Sequence, residues 1–223
     1  MDTSGDIACD LVLPCRDEAP ALAALLPAVP AGFRVIVVDN GSRDGSGALA
    51  ARLGATVVRE AQPGYGAAVQ AGLDAATADL VAFMDGDGSF DPAELLPLVD
   101  DVRAGRTDLA VGRRRPSGRG SWPWHARLGN ALIVTWLRRR IGLPTHDIAA
   151  MRVCRRADLL ALDVRDRRFG YPVELLQRAV AAGWRFSEHD VSYRPRTAGT
   201  RSKVSGSLLG TVRTALDFAR VLS

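Results

Sequence analysis

The sequence lacks the features that mark secreted, membrane-spanning and repetitive proteins. Its 223 residues include only three cysteines, with no paired or metal-type spacing, which favours reduced thiols in a cytosolic protein. The N-terminus has no basic segment followed by an apolar one, so we predict no signal peptide. No apolar run reaches roughly 18 residues, which argues against a transmembrane helix. Without internal repeats or low-complexity tracts, residues 1–223 are expected to form a single domain.

The composition is that of a globular protein with a basic surface. Hydrophobic residues make up 47% of the chain, which is enough for a sizeable core. The net charge of +4 favours an anionic partner, such as a phosphorylated small molecule, a membrane surface or a nucleic acid. Because the basic clusters lack interleaved stacking aromatics, we expect no nucleic-acid partner.

Apolar runs of strand length alternate with helix-like patterns through the first 112 residues. This alternation predicts right-handed β-α-β units, a largely parallel sheet and an α/β fold, with a nucleotide-binding half at 8–112. The predicted strands of this half lie at 9–14, 34–39, 56–59, from 80 onward and at 108–111. Later elements are predicted as helices at 125–141, 156–162 and 171–182, strands up to 154 and at 186–193, and an amphipathic helix at 206–223.

Two carboxylates, Asp85 and Asp87, follow the most apolar of these strands. Since side chains alternate along a strand, both should point the same way, and Gly86 between them leaves room for a close neighbour. Two adjacent like charges favour a bound divalent cation, and carboxylate oxygens suit Mg²⁺ or Mn²⁺. The alternative is a solvated acidic turn before a helix. In either case, we expect Asp91 to be the N-cap of that helix and Pro92 to be its first residue.

Polar residues also follow the first two strands. Arg16 and Glu18 come after the first strand, and Asp39 and Ser42 come after the second. Because the carboxyl ends of parallel strands share one edge, these residues should converge with the Asp85 loop into a ligand site. Asp39 could accept hydrogen bonds from a base or ribose, although turn chemistry and helix capping would also explain this segment.

A formal match to the dinucleotide-binding fingerprint occurs from Gly45 to Ala50. That mechanism requires the glycines to follow the strand directly, so that the helix N-terminus meets the pyrophosphate. Here residues 40–44 intervene, which disfavours a Rossmann oxidoreductase.

The second half contains three basic or amphipathic segments. Residues 112–125 are predicted to be a basic loop, and the helix after it should carry Leu128, Leu132, Ile133, Trp136 and Leu137 on one face. Residues 194–203 hold four cations, which suits a lid that closes over phosphates and neutralises a leaving pyrophosphate; a disordered basic linker is the alternative. The helix at 206–223 could lie on a membrane surface or pack on its own domain.

The order of the motifs resembles family 2 glycosyltransferases with the GT-A fold. The segments that carry this resemblance are Leu13–Glu18, Val37–Gly45, Gly64–Gly66 and Met84–Asp87. Later segments resemble the polyprenyl-phosphate (dolichyl-phosphate) sugar transferase branch, namely Val111–Arg114, Gly170–Glu174 and Arg196–Lys203. The resemblance covers about residues 8–215 and implies a smaller acceptor-side half at 113–205.

The resemblance also implies roles for individual residues. The nucleotide-sugar site would comprise Pro14, Arg16, Glu18, Asp39, Ser42, Gly64, Gly66, Asp85 and Gly86. Asp85 and Asp87 would hold Mg²⁺ or Mn²⁺ against the donor diphosphate, with Asp87 the more direct ligand. Phosphate groups would be bound by Arg113, Arg196, Arg201 and Lys203. Asn40 stands where the family often has a second acid at the end of the second strand.

The implied activity is inverting transfer of a sugar from a nucleotide diphosphate sugar to polyprenyl phosphate, at the cytoplasmic face of a membrane. The resemblance favours a UDP-sugar over GDP-mannose as the donor. A soluble hydroxyl acceptor is an alternative, and it would need Glu174 or Asp147 as a catalytic base, whereas a phosphate acceptor is already a nucleophile. A further alternative is a non-catalytic protein that binds a nucleotide sugar or a nucleic acid.

Overall fold

The structure is a computed structural model that describes residues 9–118 and 121–197. Within these ranges the chain forms seven strands and seven α-helices, joined by short loops. The strands are β1 (Cys9–Cys15), β2 (Phe33–Asp39), β3 (Thr56–Arg59), β4 (Leu80–Phe83), β5 (Leu109–Pro116), β6 (Arg152–Arg155) and β7 (Phe186–Tyr193). The helices are α1 (Ala19–Leu25), α2 (Ser46–Arg52), α3 (Tyr65–Ala75), α4 (Leu96–Arg103), α5 (Trp124–Ile141), α6 (Arg156–Ala161) and α7 (Tyr171–Ala181). The predicted helix at 206–223 and the predicted phosphate ligands Arg201 and Lys203 lie outside the described residues.

All seven strands belong to one sheet in the order β3-β2-β1-β4-β6-β5-β7. Strand β6 runs antiparallel to both of its neighbours, and every other pairing is parallel, which confirms the predicted α/β class. β6 comes from the predicted acceptor-side half but lies between β4 and β5. The two predicted halves therefore share one continuous sheet.

The hydrophobic core has two layers, one on each face of the sheet. Leu11 and Leu13 of β1 pack with residues of α1 and α4 on one face, while Val12 packs with residues of α3 and α7 on the other. Because both faces are covered, the central strands are mostly apolar, which is the pattern typical of buried parallel strands. Asp10 of β1 and Arg152 of β6 are buried exceptions.

Strand β5 is longer than predicted. It continues through Pro116 beside β7, although the sequence pattern predicted a basic loop from Gly112. The pairing tolerates this charge because Arg114 forms an ion pair with Asp147 and Arg115 forms one with Asp190. Three predicted loop arginines, Arg113, Arg114 and Arg115, are therefore held on a strand.

Helix α5 does not bury the face that its sequence pattern suggested. Val134 and Leu137 are buried, whereas Leu128 and Leu132 are 51% and 63% exposed. At about 100° per residue, Leu132 and Leu137 lie about 140° apart around the helix, so they cannot both face the core. Among the helices of residues 9–118 and 121–197, none has the length and apolar character that crossing a bilayer requires.

Candidate functional site

The loops after β1 and β2 are joined into one unit at the carboxyl edge of the sheet. The two strands end in register, with Cys15 beside Asp39. Four hydrogen bonds then connect the loops: Asp17 N to Ser42 Oγ (3.0 Å), Glu18 N to Ser46 Oγ (2.9 Å), Ala19 N to Asp44 Oδ2 (2.9 Å) and Arg43 N to Asp17 Oδ1 (2.7 Å). The predicted convergence of Glu18, Asp39 and Ser42 at this edge is therefore present in the structure.

Two of the predicted nucleotide-binding residues organise this edge. Ser42 uses its hydroxyl to accept from the backbone of Asp17, and its own N–H donates to Asp39 Oδ1 at 2.8 Å. Asp39 Oδ2 would lie only 2.7 Å from a methyl group added to Gly47, so the carboxylate sits against the start of α2. Ser42 thereby holds Asp39 in place and has a structural role of its own.

Asn40 has a function that an acid could not fulfil. Its Nδ2 donates to the carbonyls of Glu60 (2.9 Å) and Gln62 (2.7 Å), and its Oδ1 accepts from Gly64 N (3.0 Å). A carboxylate at this position would face two carbonyl oxygens without a proton to donate. The amide therefore fixes the loop after β3, a role that the sequence pattern did not reveal.

Asp85 and Asp87 lie in a loop and not on a strand, because β4 ends at Phe83. The prediction that strand alternation aligns the two carboxylates is therefore wrong. The loop nevertheless folds back beside the end of β1. A methyl group added to Gly86 would lie 3.2 Å from Glu18 Oε2 and 3.5 Å from the carbonyl oxygen of Pro14. Gly86 thus permits a close approach to two predicted base-pocket residues.

Asp87 is buried and Asp85 is partly buried, and the two carboxylates are electrostatically linked. Asp87 is 1% exposed; its Oδ1 accepts from Ser89 N at 2.9 Å, and its Oδ2 lies 2.7 Å from Arg196 Nη1. Burial, followed by the negative charge of Asp87, raises the pKa of Asp85 to about 6. The charges of three arginines (Arg196, Arg114 and Arg152) oppose that rise. The centre therefore combines two crowded carboxylates with three surrounding guanidinium groups.

The start of the predicted basic lid docks on the aspartate loop. Arg194 N donates to Ser89 O at 2.9 Å, and Thr197 N donates to Asp87 O at 3.1 Å. Gly88 has a φ of +78°, and a methyl group there would overlap Thr197 Oγ1. These backbone contacts place Arg196, which lies between the two paired residues, against Asp87.

Asp147 holds Arg114 and is not positioned as a free base. Its carboxylate accepts from Arg114 Nη2 at 2.6 Å, from Arg114 Nε at 2.9 Å, from Arg114 N at 2.9 Å and from Ala149 N at 3.2 Å. Burial alone would raise the pKa of Asp147, but the hydrogen bonds and charge of Arg114 hold it below its usual range. On the other side, the Arg114 guanidinium stacks 4.1 Å from the Trp122 ring centroid.

Arg113, the predicted phosphate ligand, and its neighbour Arg114 both lie on β5. Side chains alternate along β5, so these two neighbours point to opposite faces of the sheet. Arg114 is the one whose charge acts on Asp85. The Val111–Arg114 segment drew attention to both arginines. Because the segment was predicted to be a loop, the sequence did not indicate which of the two side chains faces Asp85.

Gly64 and Gly66 pack closely against neighbouring segments of the protein. The N–H of Gly64 donates to Asn40 Oδ1 at 3.0 Å, and that of Gly66 donates to Arg168 O at 3.0 Å. Methyl groups at these positions would overlap the carbonyl oxygens of Arg167 and Asp166, respectively. The glycines are therefore required for the close packing of α3 against residues 166–168, and their nucleotide-binding role stays a prediction.

Glu174 stabilises the same segment. Its carboxylate accepts from Arg165 N at 3.0 Å and from Asp166 N at 2.6 Å, and it forms an ion pair with Arg178 Nε at 2.6 Å. These partners occupy both carboxylate oxygens, so the structure supports a structural role for Glu174 and provides no support for the predicted role as a base.

A buried arginine that the sequence reasoning missed lies beneath the site. Arg152 of β6 is 2% exposed, and its Nη2 donates to the carbonyl oxygens of Ile148 (2.9 Å) and Ala149. Its charge also lowers the pKa of Asp85. No local pattern marks this residue, because its importance depends on β6 lying directly beside β4.

The donor set at the aspartate loop fits a hard divalent cation. Asp85 and Asp87 offer carboxylate oxygens, and their mutual repulsion, which contributes to the raised pKa of Asp85, is the kind that a cation relieves. In the part of the chain that the structure describes, no cluster of three or more His, Cys, Asp or Glu side chains is arranged to hold a metal. Substrate phosphates and water would therefore complete the coordination, as they often do for Mg²⁺.

Comparison with known proteins identifies the family to which the chain is related. The family model "Glycosyl transferase family 2" matches residues 10–159. An uncharacterized glycosyltransferase of Mycobacterium tuberculosis is 55% identical over 220 residues, covering 99% of this chain and 100% of that protein. Polyprenol monophosphomannose synthase of Mycolicibacterium smegmatis is 32% identical over 210 residues, covering 86% and 78%.

The fold is shared with GT-A glycosyltransferases of known structure. Glucosyl-3-phosphoglycerate synthase from Mycobacterium tuberculosis, crystallised with Mg²⁺ and UDP, superimposes with a TM-score of 0.76. It is 22% identical, and the match covers 96% of this chain and 77% of that one. With the family model matching more than half of its length, this chain belongs to glycosyltransferase family 2.

Proposed function

We propose that this protein transfers a sugar, with inversion, from a nucleotide diphosphate sugar to polyprenyl phosphate. The observation that carries the donor half of the proposal is the aspartate pair. Arg196 Nη1 lies 2.7 Å from Asp87 Oδ2, and the charges of Arg114, Arg152 and Arg196 all act on Asp85. Two carboxylates suit a divalent cation, and guanidinium groups suit the oxygens of a diphosphate. A UDP-sugar is the favoured donor, by analogy with the synthase of the same fold that was crystallised with Mg²⁺ and UDP.

The acceptor half rests on the state of the two candidate bases. A hydroxyl acceptor needs a side chain that can take its proton, whereas a phosphate monoester is already an anionic nucleophile. Asp147 is occupied by Arg114, and Glu174 is occupied by Arg178 and backbone N–H groups. A phosphate acceptor needs neither residue, and a relative at 32% identity is named a polyprenol monophosphomannose synthase.

The residues would act mainly by electrostatic stabilisation. As the acceptor oxygen attacks the anomeric carbon, the bond to the nucleoside diphosphate breaks and negative charge develops on the leaving oxygen. Arg114 and Arg196 lie where their guanidinium groups can stabilise that charge. A divalent cation held by Asp85 and Asp87 would supply further charge neutralisation when bound. Asp147 would keep Arg114 oriented, and Glu18 and Asp39 would line the nucleoside side.

Ligand binding tests the donor site. Thermal unfolding would be followed with UDP, GDP and their sugars, with and without Mn²⁺. At a ligand concentration of about 100 Kd, binding stabilises the fold by about 2.7 kcal/mol, or roughly 5–10 °C for a chain of this size. Asp87→Asn should abolish the metal-dependent shift. Asp91→Asn, in the same loop, should keep it, since Asn also caps the following turn in place of Asp91.

Turnover tests the acceptor. A short polyprenyl phosphate and the polyprenol of the same length would be compared as acceptors of a radiolabelled sugar. We expect transfer to the polyprenyl phosphate and none to the polyprenol. EDTA should abolish this transfer, and Asp87→Asn should reduce its rate about 100-fold or more. Equal transfer to the polyprenol would replace the phosphate acceptor with a hydroxyl acceptor. Donor binding without any transfer would point to a binding protein instead.

A further inference from the structure

Helix α5 presents an apolar stripe to solvent along its whole length. Its large exposed side chains recur at intervals of four residues, and the helix is about 27 Å long. They are Trp124 (75% exposed), Leu128 (51%), Leu132 (63%) and Trp136 (37%). A continuous exposed apolar patch of this kind marks an interaction surface.

The opposite face of α5 is firmly attached to the protein, which fixes the direction of the stripe. Val134 and Leu137 are buried in the core. Asn130 Oδ1 accepts from Arg114 Nη2 at 3.1 Å and from Ile148 N at 3.2 Å. The helix is therefore joined to the candidate active site through Arg114, and it cannot turn its stripe inward without breaking these contacts.

The surroundings of the stripe are strongly cationic. Residues 109–146 include eight arginines and no aspartate or glutamate, and α5 itself carries four of those arginines. A groove of about 300 Å³ on α5 is lined by Leu132, Thr135, Trp136, Arg139 and Arg140. Apolar side chains and guanidinium groups thus share one space, and that combination is complementary to an anionic amphiphile.

Three other partners could cover the stripe: the segment 206–223, a second copy of the chain and a nucleic acid. Charge or apolar character argues against each of them. The segment 206–223 contains two arginines and one aspartate, so it adds positive charge to a face that is already positive. A second copy packed symmetrically would place the same arginines opposite one another. A nucleic acid would match the arginines but would leave Leu128 and Leu132 without an apolar partner.

We propose that α5 docks the protein on an anionic lipid bilayer. The tryptophans and leucines of the stripe insert into the interface, where tryptophan is favoured, and the arginines contact lipid phosphates. The proposal goes beyond sugar transfer and is tested without any donor. It places the site, joined to α5 through Arg114 and Asn130, next to the membrane surface.

Vesicle sedimentation of the full chain tests this docking. The probe is a phosphatidylcholine vesicle with about 30% phosphatidylglycerol, with pure phosphatidylcholine for comparison. Arg139→Gln/Arg140→Gln should lower the partition coefficient roughly 30-fold, and Leu128→Asn/Leu132→Asn should lower it at least about tenfold. The matched control is Leu53→Asn/Leu160→Asn, which alters leucines that are 43% and 37% exposed elsewhere, and it should bind as the unaltered protein does.

Three results of the vesicle experiment would overturn the proposal. The first is that the protein does not bind the anionic vesicles. The second is that neither α5 variant changes the binding, and the third is that the protein binds pure phosphatidylcholine vesicles as strongly as anionic ones. Binding to an oligouridylate that both α5 variants lose would overturn it in favour of nucleic acid. Near-ultraviolet circular dichroism and the unfolding midpoint would establish that each variant is folded.

A fluorescent label at Leu132→Cys identifies the occupant directly. The three native cysteines are buried, so the new thiol would be labelled selectively by a bimane reagent. In the protein alone, iodide should quench the bimane freely, and anionic vesicles should shield it and shift its emission to the blue. Shielding before vesicles are added would overturn the proposal, because it would show that the chain or a second copy already covers the stripe.

Discussion

Replacing Asp147 with Asn distinguishes a structural carboxylate from a catalytic base. The change keeps the size of the side chain but removes its charge and one of its two acceptor oxygens. In the structure both oxygens are used, because Arg114 donates three hydrogen bonds to them and Ala149 donates a fourth. In the variant an amide N–H₂ must face at least one of these donors.

The expected cost is set by burial. Asp147 is 2% exposed at its side chain and Arg114 is 17% exposed, so the pair lies largely out of water. Breaking a buried pair of this kind costs about 3–5 kcal/mol. Since Arg114 keeps its stacking on Trp122 and some access to water, we expect about 3 kcal/mol, or a fall in Tm of roughly 6–12 °C.

The effect should also depend on pH. The pKa of Asp147 is lowered in the folded protein, so its contribution to stability is complete above the ordinary pKa of an aspartate. That contribution is lost as the pH falls through the lowered folded value. The difference in free energy of unfolding between the unaltered protein and Asp147→Asn should therefore be constant near neutral pH and shrink below about pH 4.

Urea unfolding and steady-state kinetics measure these effects together. Asp190→Asn is the matched control, because the neighbouring pair Arg115–Asp190 is 51% and 56% exposed and should contribute less than about 1 kcal/mol. Turnover of Asp147→Asn should fall only about tenfold, through loosened Arg114, with an unchanged pH–rate profile. A loss of turnover above about 1,000-fold with unchanged stability would refute the structural role and restore Asp147 as a base.

Three further predictions concern stability and reactivity. Asp10→Asn should cost about 1–3 kcal/mol of unfolding free energy in urea and leave donor affinity unchanged, because Asp10 is buried and accepts from two backbone N–H groups and from Arg34, which is 45% exposed. Gly66→Ala should lower the free energy of unfolding by about 1–3 kcal/mol, because its methyl group would overlap a carbonyl oxygen. Gly129→Ala, where a methyl group would meet open space, should raise it by up to about 1 kcal/mol. Urea unfolding measures both changes. Iodoacetamide should leave all three native thiols unmodified at about pH 8 and modify them in denaturant, since burial raises the pKa of Cys9 and Cys15 to about 12.

The sequence by itself determined the class of the fold and the position of the site. Apolar runs alternating with helical segments required a covered parallel sheet, and the observed strand order confirms it. Asp91 caps the turn that begins at Pro92, as predicted. These features depend on residues close in sequence, or on the rule that parallel strands end at one edge, so a linear pattern contains them.

The tertiary structure alone decided which side chains are committed to other partners. Asp147 meets Arg114 across 33 residues, and Asn40 reaches Gly64 across 24. The burial of Arg152 depends on β6 entering the sheet between β4 and β5. A carboxylate in a motif looks the same whether it is free or held by an arginine, and only packing brings that arginine to it. For the same reason, the partners that hold Asp147 and Glu174 could not be read from the sequence. The exposed face of α5 became visible only when the opposite face was seen in the core.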